Sequence, residues 1–182
     1  MQFIAFLSKT IDWASGHFGR AVSWLALLMV LVVMANVVMR YVFGITDPKL
    51  QELPVYLHGM LFMLAAAYTL REQGHVRVDI FYRAASAKRK AVTDLFGHLL
   101  FVLPFMTLVL VESWDYVAAA WKVTEGSTAT SGIHLVYILK TVIPVFAVTV
   151  AIQSISEAIK AVLILLGLAE PPEEDEAAHG TL

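Results

Sequence analysis

Three histidines, one charged segment and one hydroxyl-rich stretch are the residues whose types could do chemistry in this chain. His58 and His98 fall inside apolar stretches, and a membrane bundle can hold haem between two imidazoles. Their depths argue against it. His58 lies five residues inside one end of its stretch, and His98 lies three residues inside the opposite end of the next. At about 1.5 Å of rise per residue the two differ in depth by well over 10 Å, too far for one iron. His134 shares the side of His58, but residues 125–132 before it read EGSTATSG, an exposed loop rather than a rigid ligand platform. That loop also lacks the strand-to-helix context of a phosphate cradle, and no nucleophile elbow or metal-spaced cluster occurs. The chain has no cysteine, which excludes disulfides, thiolate zinc sites, iron–sulfur clusters and cysteine nucleophiles.

The charged segment is the most individual feature. Residues 71–83 read REQGHVRVDIFYR, with Val76, Val78 and Ile80 alternating with Arg77 and Asp79. Gly74 permits a sharp turn directly after a helix end. Keeping a loop in the cytoplasm needs only its basic residues. The added pattern points to a structured elbow, with His75, Arg77 and Asp79 available to each other or to a partner. Arg83, Lys88, Arg89 and Lys90 suit anionic lipid headgroups.

The elements that must carry these residues follow from composition. Of 182 residues, 59% are hydrophobic and 15% charged, against about 45–50% and 25% in soluble domains. So few charges cannot clothe a soluble surface, and an all-α integral membrane protein follows. The formal net charge of −2 gives no reason to expect nucleic acid as a partner. Four stretches approach the roughly 20 apolar residues that cross a bilayer. Residues 21–39 and 53–70 carry no formal charge, nor do 95–111. From Lys140 to Glu157 a helix rises about 26 Å, close to the hydrocarbon thickness. The spacing predicts spans at about 21–43, 53–71, 94–121 and 135–160. Pro54 fits a first helical turn, and Pro104 predicts a kink in the third helix. Asn36, His58, His98, Thr107, Thr149 and Gln153 are the polar groups of the span interiors, and helix–helix hydrogen bonding is their expected use. No carboxylate lies between the charged ends, so an ion pathway has nothing to run on.

Lysine and arginine set the orientation. Nine of them fall in the N-terminus, the middle loop and the C-terminus, and four in the other two loops, so both termini are expected in the cytoplasm. Residues 1–20 lack a secretion signal's basic start and cleavage site. Ile4, Leu7, Ile11, Ala14 and Phe18 recur there at helical spacing, with Ser8, Lys9 and Asp12 off that stripe. This predicts an amphipathic helix in the inner interface. Residues 169–182, with Pro171, Pro172 and five acids, read as a disordered acidic tail around the membrane domain 21–168.

Three places resemble the small membrane subunit of tripartite ATP-independent periplasmic (TRAP) transporters, the DctQ-like family. Residues 36–43, NVVMRYVF, close the first span with that family's Arg-Tyr-x-Phe ending. Residues 51–54, QELP, open the second near the family's acidic pair, with Gln51 in place of one acid. Residues 56–70 running into GHVRVDIFY, 74–82, give the strongest match. The resemblance covers about residues 20–165. It implies a scaffold rather than an enzyme, with a large membrane subunit and a secreted solute-binding protein as partners. It implies import of an organic acid anion, with sodium handled by the large subunit and no cofactor in this chain. It implies an inner-membrane location, with Arg40 and Glu52 outside and Arg71, His75, Arg77 and Asp79 inside as docking candidates. Arg40 and Glu52 are expected to pair across the first outer loop or to face partners. The residues alone leave two other readings open, a tetraspan haem or redox protein and a self-sufficient oligomeric exporter.

Overall fold

The computed structural model describes residues 2–75, 82 and 85–169, and these form helices and turns only. Helix α1 is Gln2–Tyr41, α2 is Pro48–Leu64, α3 is Ala66–Arg71 and α4 is Ala87–Phe96. A π-helical turn, Gly97–Val102, joins α4 to α5, Leu103–Lys122, and α6 is Val136–Leu165. In membrane terms α2 with α3 makes one crossing and α4 through α5 another, giving four helices long and apolar enough to span a bilayer. The fold class is therefore all-α, with four spans. The acidic tail from Glu170, and Arg77, Asp79 and Arg83 of the expected elbow, lie outside the described residues.

Helix ends follow local chemistry. Gly44 takes φ 67°, a left-handed conformation that costs glycine little, and Ile45 N–H then reaches Met39 O at 2.9 Å to close α1. Asp47 caps α2 by accepting Lys49 N–H at 2.8 Å, with Pro48 in the first turn where its missing N–H costs nothing. The turn after α3 departs from expectation. Its left-handed residue is Gln73, φ 56°, while Gly74 donates its N–H to Thr69 O at 2.9 Å. The kink expected at Pro104 takes the form of the π-helical turn just before it, since proline supplies no N–H to the preceding turn.

Helix α1 runs unbroken across the expected boundary at residue 20. Its 40 residues rise about 60 Å, twice the hydrocarbon thickness. The stripe Ile4, Leu7 and Phe18 points outward, and a neighbouring strip, Ser8, Asp12, Gly16 and Gly19, packs on the bundle. Gly16 lies against the Arg71 guanidinium, and Gly19 lies against the root of the Tyr68 side chain, with no room for a Cβ there. Ser8 and Asp12 meet the C-terminal half of α6. Over residues 8–19, α1 thus passes from α6 to the end of α3.

Helix α6 packs against every other helix, which makes it the axis of the bundle. The apolar core is small: Ala67, Leu70, Met106, Ala147 and Val150, flanked by Ala66, Val102, Val109, Leu110, Phe146 and Ala151. Alanine at these sites lets backbones approach closely, the usual device where lipid is as apolar as leucine. Large side chains such as Leu31, Phe62, Phe101 and Phe105 instead face outward.

Candidate partner-docking surfaces

At the end where α1 meets α2, Glu52 sits in the second turn of α2 and reaches the loop between α5 and α6. One carboxylate oxygen accepts Ile133 N–H at 2.8 Å, and the other accepts a short hydrogen bond from Ser127 Oγ. Tyr56, one helical turn on, donates its O–H to Ile133 O at 3.3 Å. The expected Arg40–Glu52 pair is therefore not formed. The loop's own N–H and O–H groups take the carboxylate, and the Arg40 guanidinium lies 5.8 Å from the Tyr41 ring centre. Both residues still occupy the same end of the bundle.

The loop they flank is more ordered than its glycines and hydroxyls suggest. Ser127 N–H reaches Ile133 O at 3.0 Å and Gly132 N–H reaches Ala129 O at 3.0 Å. Gly132 is buried against Ser127 and the Glu52 carboxylate, and the half-buried Gly126 lies against the His134 ring. Glu125 anchors one side, pairing with Lys140 Nζ at 2.6 Å. That ammonium also lies 4.0 Å from the Tyr116 ring centre, a cation–π contact. Trp121 Nε1–H donates to Thr141 Oγ1 at 2.8 Å and meets Tyr137 edge-on.

At the opposite end, Arg71 pairs with its neighbour Glu72 at 2.7 Å and covers Gly16. His75 is exposed just beyond. Lys88 and Arg89 are exposed in the first turn of α4, and the Lys90 ammonium lies 5.5 Å from the Tyr82 ring centre. Tyr82 O–H donates to Asp94 at 2.6 Å, tying the chain before α4 to its second turn.

Beside this end lies a buried polar cluster that the span reading reached only at Gln153 and His98. Residues 153–157 of α6 read QSISE, and Gln153, Ser154 and Ser156 are fully buried. Gln153 Nε2 donates to Asp12 and to Glu157, both at 2.9 Å. Ser156 Oγ donates to Asp12 at 2.8 Å and lies 2.7 Å from Ser8 Oγ. Ser154 Oγ meets His98 Nδ1 at 2.9 Å, tying α6 to the π-helical turn. Gln73 Nε2 donates to Glu157 at 3.3 Å, which ties in the end of α3. Lys160 Nζ lies 2.6 Å from Glu157 and 3.1 Å from Asp12. Four residues within five positions of one helix thus hold α1, the chain at the end of α3 and the π-helical turn.

Two of the expected interhelical polar groups, His98 and Gln153, do bridge helices. Thr107 and Thr149 bond their own backbone at Leu103 O and Phe146 O, and the His58 ring lies 6.3 Å from that of Phe62. Ser8 and Asp12 of the cluster carried one legible signal. Ser8, Asp12, Ser15 and Gly19 recur at helical spacing on a strip beside the apolar stripe.

Residues 29–163 match the family model for tripartite ATP-independent periplasmic transporters, DctQ component. The chain belongs to this family. It is accordingly a TRAP small permease subunit, a transporter component and not an enzyme, and a multi-pass membrane protein of the inner membrane. A relative is the C4-dicarboxylate TRAP transporter small permease protein DctQ of Vibrio cholerae serotype O1 (strain ATCC 39315 / El Tor Inaba N16961). It is 28% identical over 102 residues, 53% of this chain. That alignment spans 44% of the relative's own length. No solved structure matches the chain. The DctQ match begins inside the first crossing, at residue 29 of α1, and runs to residue 163 near the end of α6.

Proposed function

We propose that this DctQ component braces the large membrane subunit of a sodium-coupled importer of an organic acid anion, which a periplasmic solute-binding protein delivers. The supporting observation is the use made of the buried polar side chains. Ser154, Ser156, Glu157, His98 and the Nε2 of Gln153 hold helices to one another, and among these buried groups Gln153 Oε1 alone is left without a hydrogen bond. A transport path needs such groups free to face a substrate or ion. A bundle fastened in this way suits a fixed support.

The outward apolar faces of α1 and α5 then meet lipid and the large subunit, with both termini and the α3–α4 connection in the cytoplasm. Arg71, His75, Arg77 and Asp79 serve contacts at that side. Arg83, Lys88, Arg89 and Lys90 hold anionic phospholipid headgroups. The first half of α1 rests in the inner interface, its stripe of Ile4, Leu7 and Phe18 in the acyl boundary. The substrate class, an organic acid anion such as a C4-dicarboxylate, follows the name of the Vibrio relative.

The test is reconstitution. A large polytopic subunit should co-purify with this chain, and sodium-driven uptake in proteoliposomes should need both chains and the binding protein. Uptake by this chain alone, or by the large subunit equally well without it, would sink the reading.

A further inference from the structure

The connection between α5 and α6 is residues 123–135, longer than the two to eight residues that usually join helices in a bundle. A long loop held in one shape is usually one that binds something. This one is held by α2 as well as by itself. Glu52 spends both carboxylate oxygens on Ser127 and Ile133, and Tyr56 adds a hydrogen bond to Ile133 O. Ser127 Oγ in turn accepts Ala129 N–H at 3.0 Å, which turns the chain at the tip. The framework leaves Thr128, Thr130 and Ser131 exposed together above a buried Gly132. Residues 127–133 carry no formal charge, Glu52 is turned onto the loop and Glu125 onto Lys140, so the tip itself offers hydroxyls, with the exposed His134 ring beside it.

We propose that this hydroxyl tip, Thr128, Thr130 and Ser131, is a preformed contact for the solute-binding protein, and that Glu52 is the positioning residue that shapes it. This rests on the proposed function, which places the loop on the periplasmic side. The surface that fits is a polar, uncharged one recognised by hydrogen bonds. Glu52 acts through the loop and does not itself meet the partner. Fixing the loop beforehand removes an ordering cost that a mobile loop would pay on every docking event.

The experiment titrates binding protein against the two-subunit complex in proteoliposomes and reads half-saturation and maximal uptake separately. Thr128→Val, Thr130→Val and Ser131→Ala combined should raise the half-saturating concentration about fivefold or more, with maximal uptake unchanged. Glu52→Ala should do the same. Glu52→Gln, which can still accept from Ile133 and meet Ser127, should recover most of the wild-type value. The shift should persist at high salt, because no charge pair is broken. Unchanged half-saturation in the triple variant overturns the tip as a contact. A fall in maximal uptake or in complex yield with unchanged half-saturation for Glu52→Ala overturns its positioning role. Failure of the proposed function is read separately, because wild-type uptake would then not depend on binding protein at all.

Discussion

Gln153 carries a primary amide into the body of a membrane helix, where an unpaired polar group is costly. Its amide hydrogens are both used, one on Asp12 and one on Glu157, and both acceptors belong to the cluster that Lys160 also enters. Removing the amide strips two charged acceptors of a donor at once. Gln153→Leu should therefore lower stability by about 3 kcal/mol, measured by reversible unfolding in detergent. Ser8→Ala should cost only about 1 kcal/mol, since Ser156 keeps its bond to Asp12. Equal losses from both variants would show that Gln153 is not the centre of the cluster. Glu52 teaches the same lesson at the other end. Its type and place were legible as an acid opening the second span, but its partners lie 75 and 81 residues away in sequence. Spacing cannot show such a contact. Arg40, at the end of the first span, was the cation expected to pair with it or to face partners, and the loop's own donors take the carboxylate instead.

Among the elements, α1 is where the local reading and the packing differ most. Its apolar stripe was legible from spacing, and Ile4, Leu7 and Phe18 of that stripe are exposed, as are Phe3, Phe6 and Trp13 off it. What spacing did not reveal is that the polar face is also occupied. Ser8 and Asp12 are claimed by α6, and Gly16 and Gly19 admit α3. The absence of native cysteine makes this packing testable. In a Ser8→Cys/Ser156→Cys double variant the two sulfurs should stand within disulfide reach, since the hydroxyls they replace are 2.7 Å apart. Mild oxidation in membranes should cross-link the pair, seen as a reductant-sensitive shift on a denaturing gel, and Gly19→Leu should reduce the yield. A pair that stays reduced would place α1 elsewhere. The π-helical turn is the second case. Pro104 announced a disturbance in the third crossing, but not that the disturbance would lie at residues 97–102 and aim His98 at Ser154.

For the whole molecule, the four crossings and the location of charge were both visible from composition. Among the exposed charges, Lys88 and Arg89, with Lys90 beside Tyr82, form a basic group that a membrane surface can use. Replacing all three with glutamine should reduce the anionic phospholipid that stays bound through purification, at about 1 kcal/mol per residue removed. Thermal stability should hardly change, because exposed charges contribute little to folding. Lipid retention equal to wild type would remove these residues from the proposed headgroup site.

Taken by itself, the sequence determined that this chain lives in a membrane, crosses it four times and belongs with the small TRAP permease subunits. Hydrophobic length, scarcity of charge and the Arg40–Phe43 and Gly74–Tyr82 motifs are local properties, and a one-dimensional string carries them in full. Only the tertiary structure decided what the few polar residues do. The bonds that join Ser8 to Ser156, Asp12 to Gln153, His98 to Ser154 and Glu52 to Ile133 link residues 56 to 148 positions apart. Which donor meets which acceptor is settled by how helices cross. In a bundle covered in lipid-facing apolar side chains, crossing is set by small residues and polar fit more than by hydrophobic pattern, and those are the terms that periodicity does not contain.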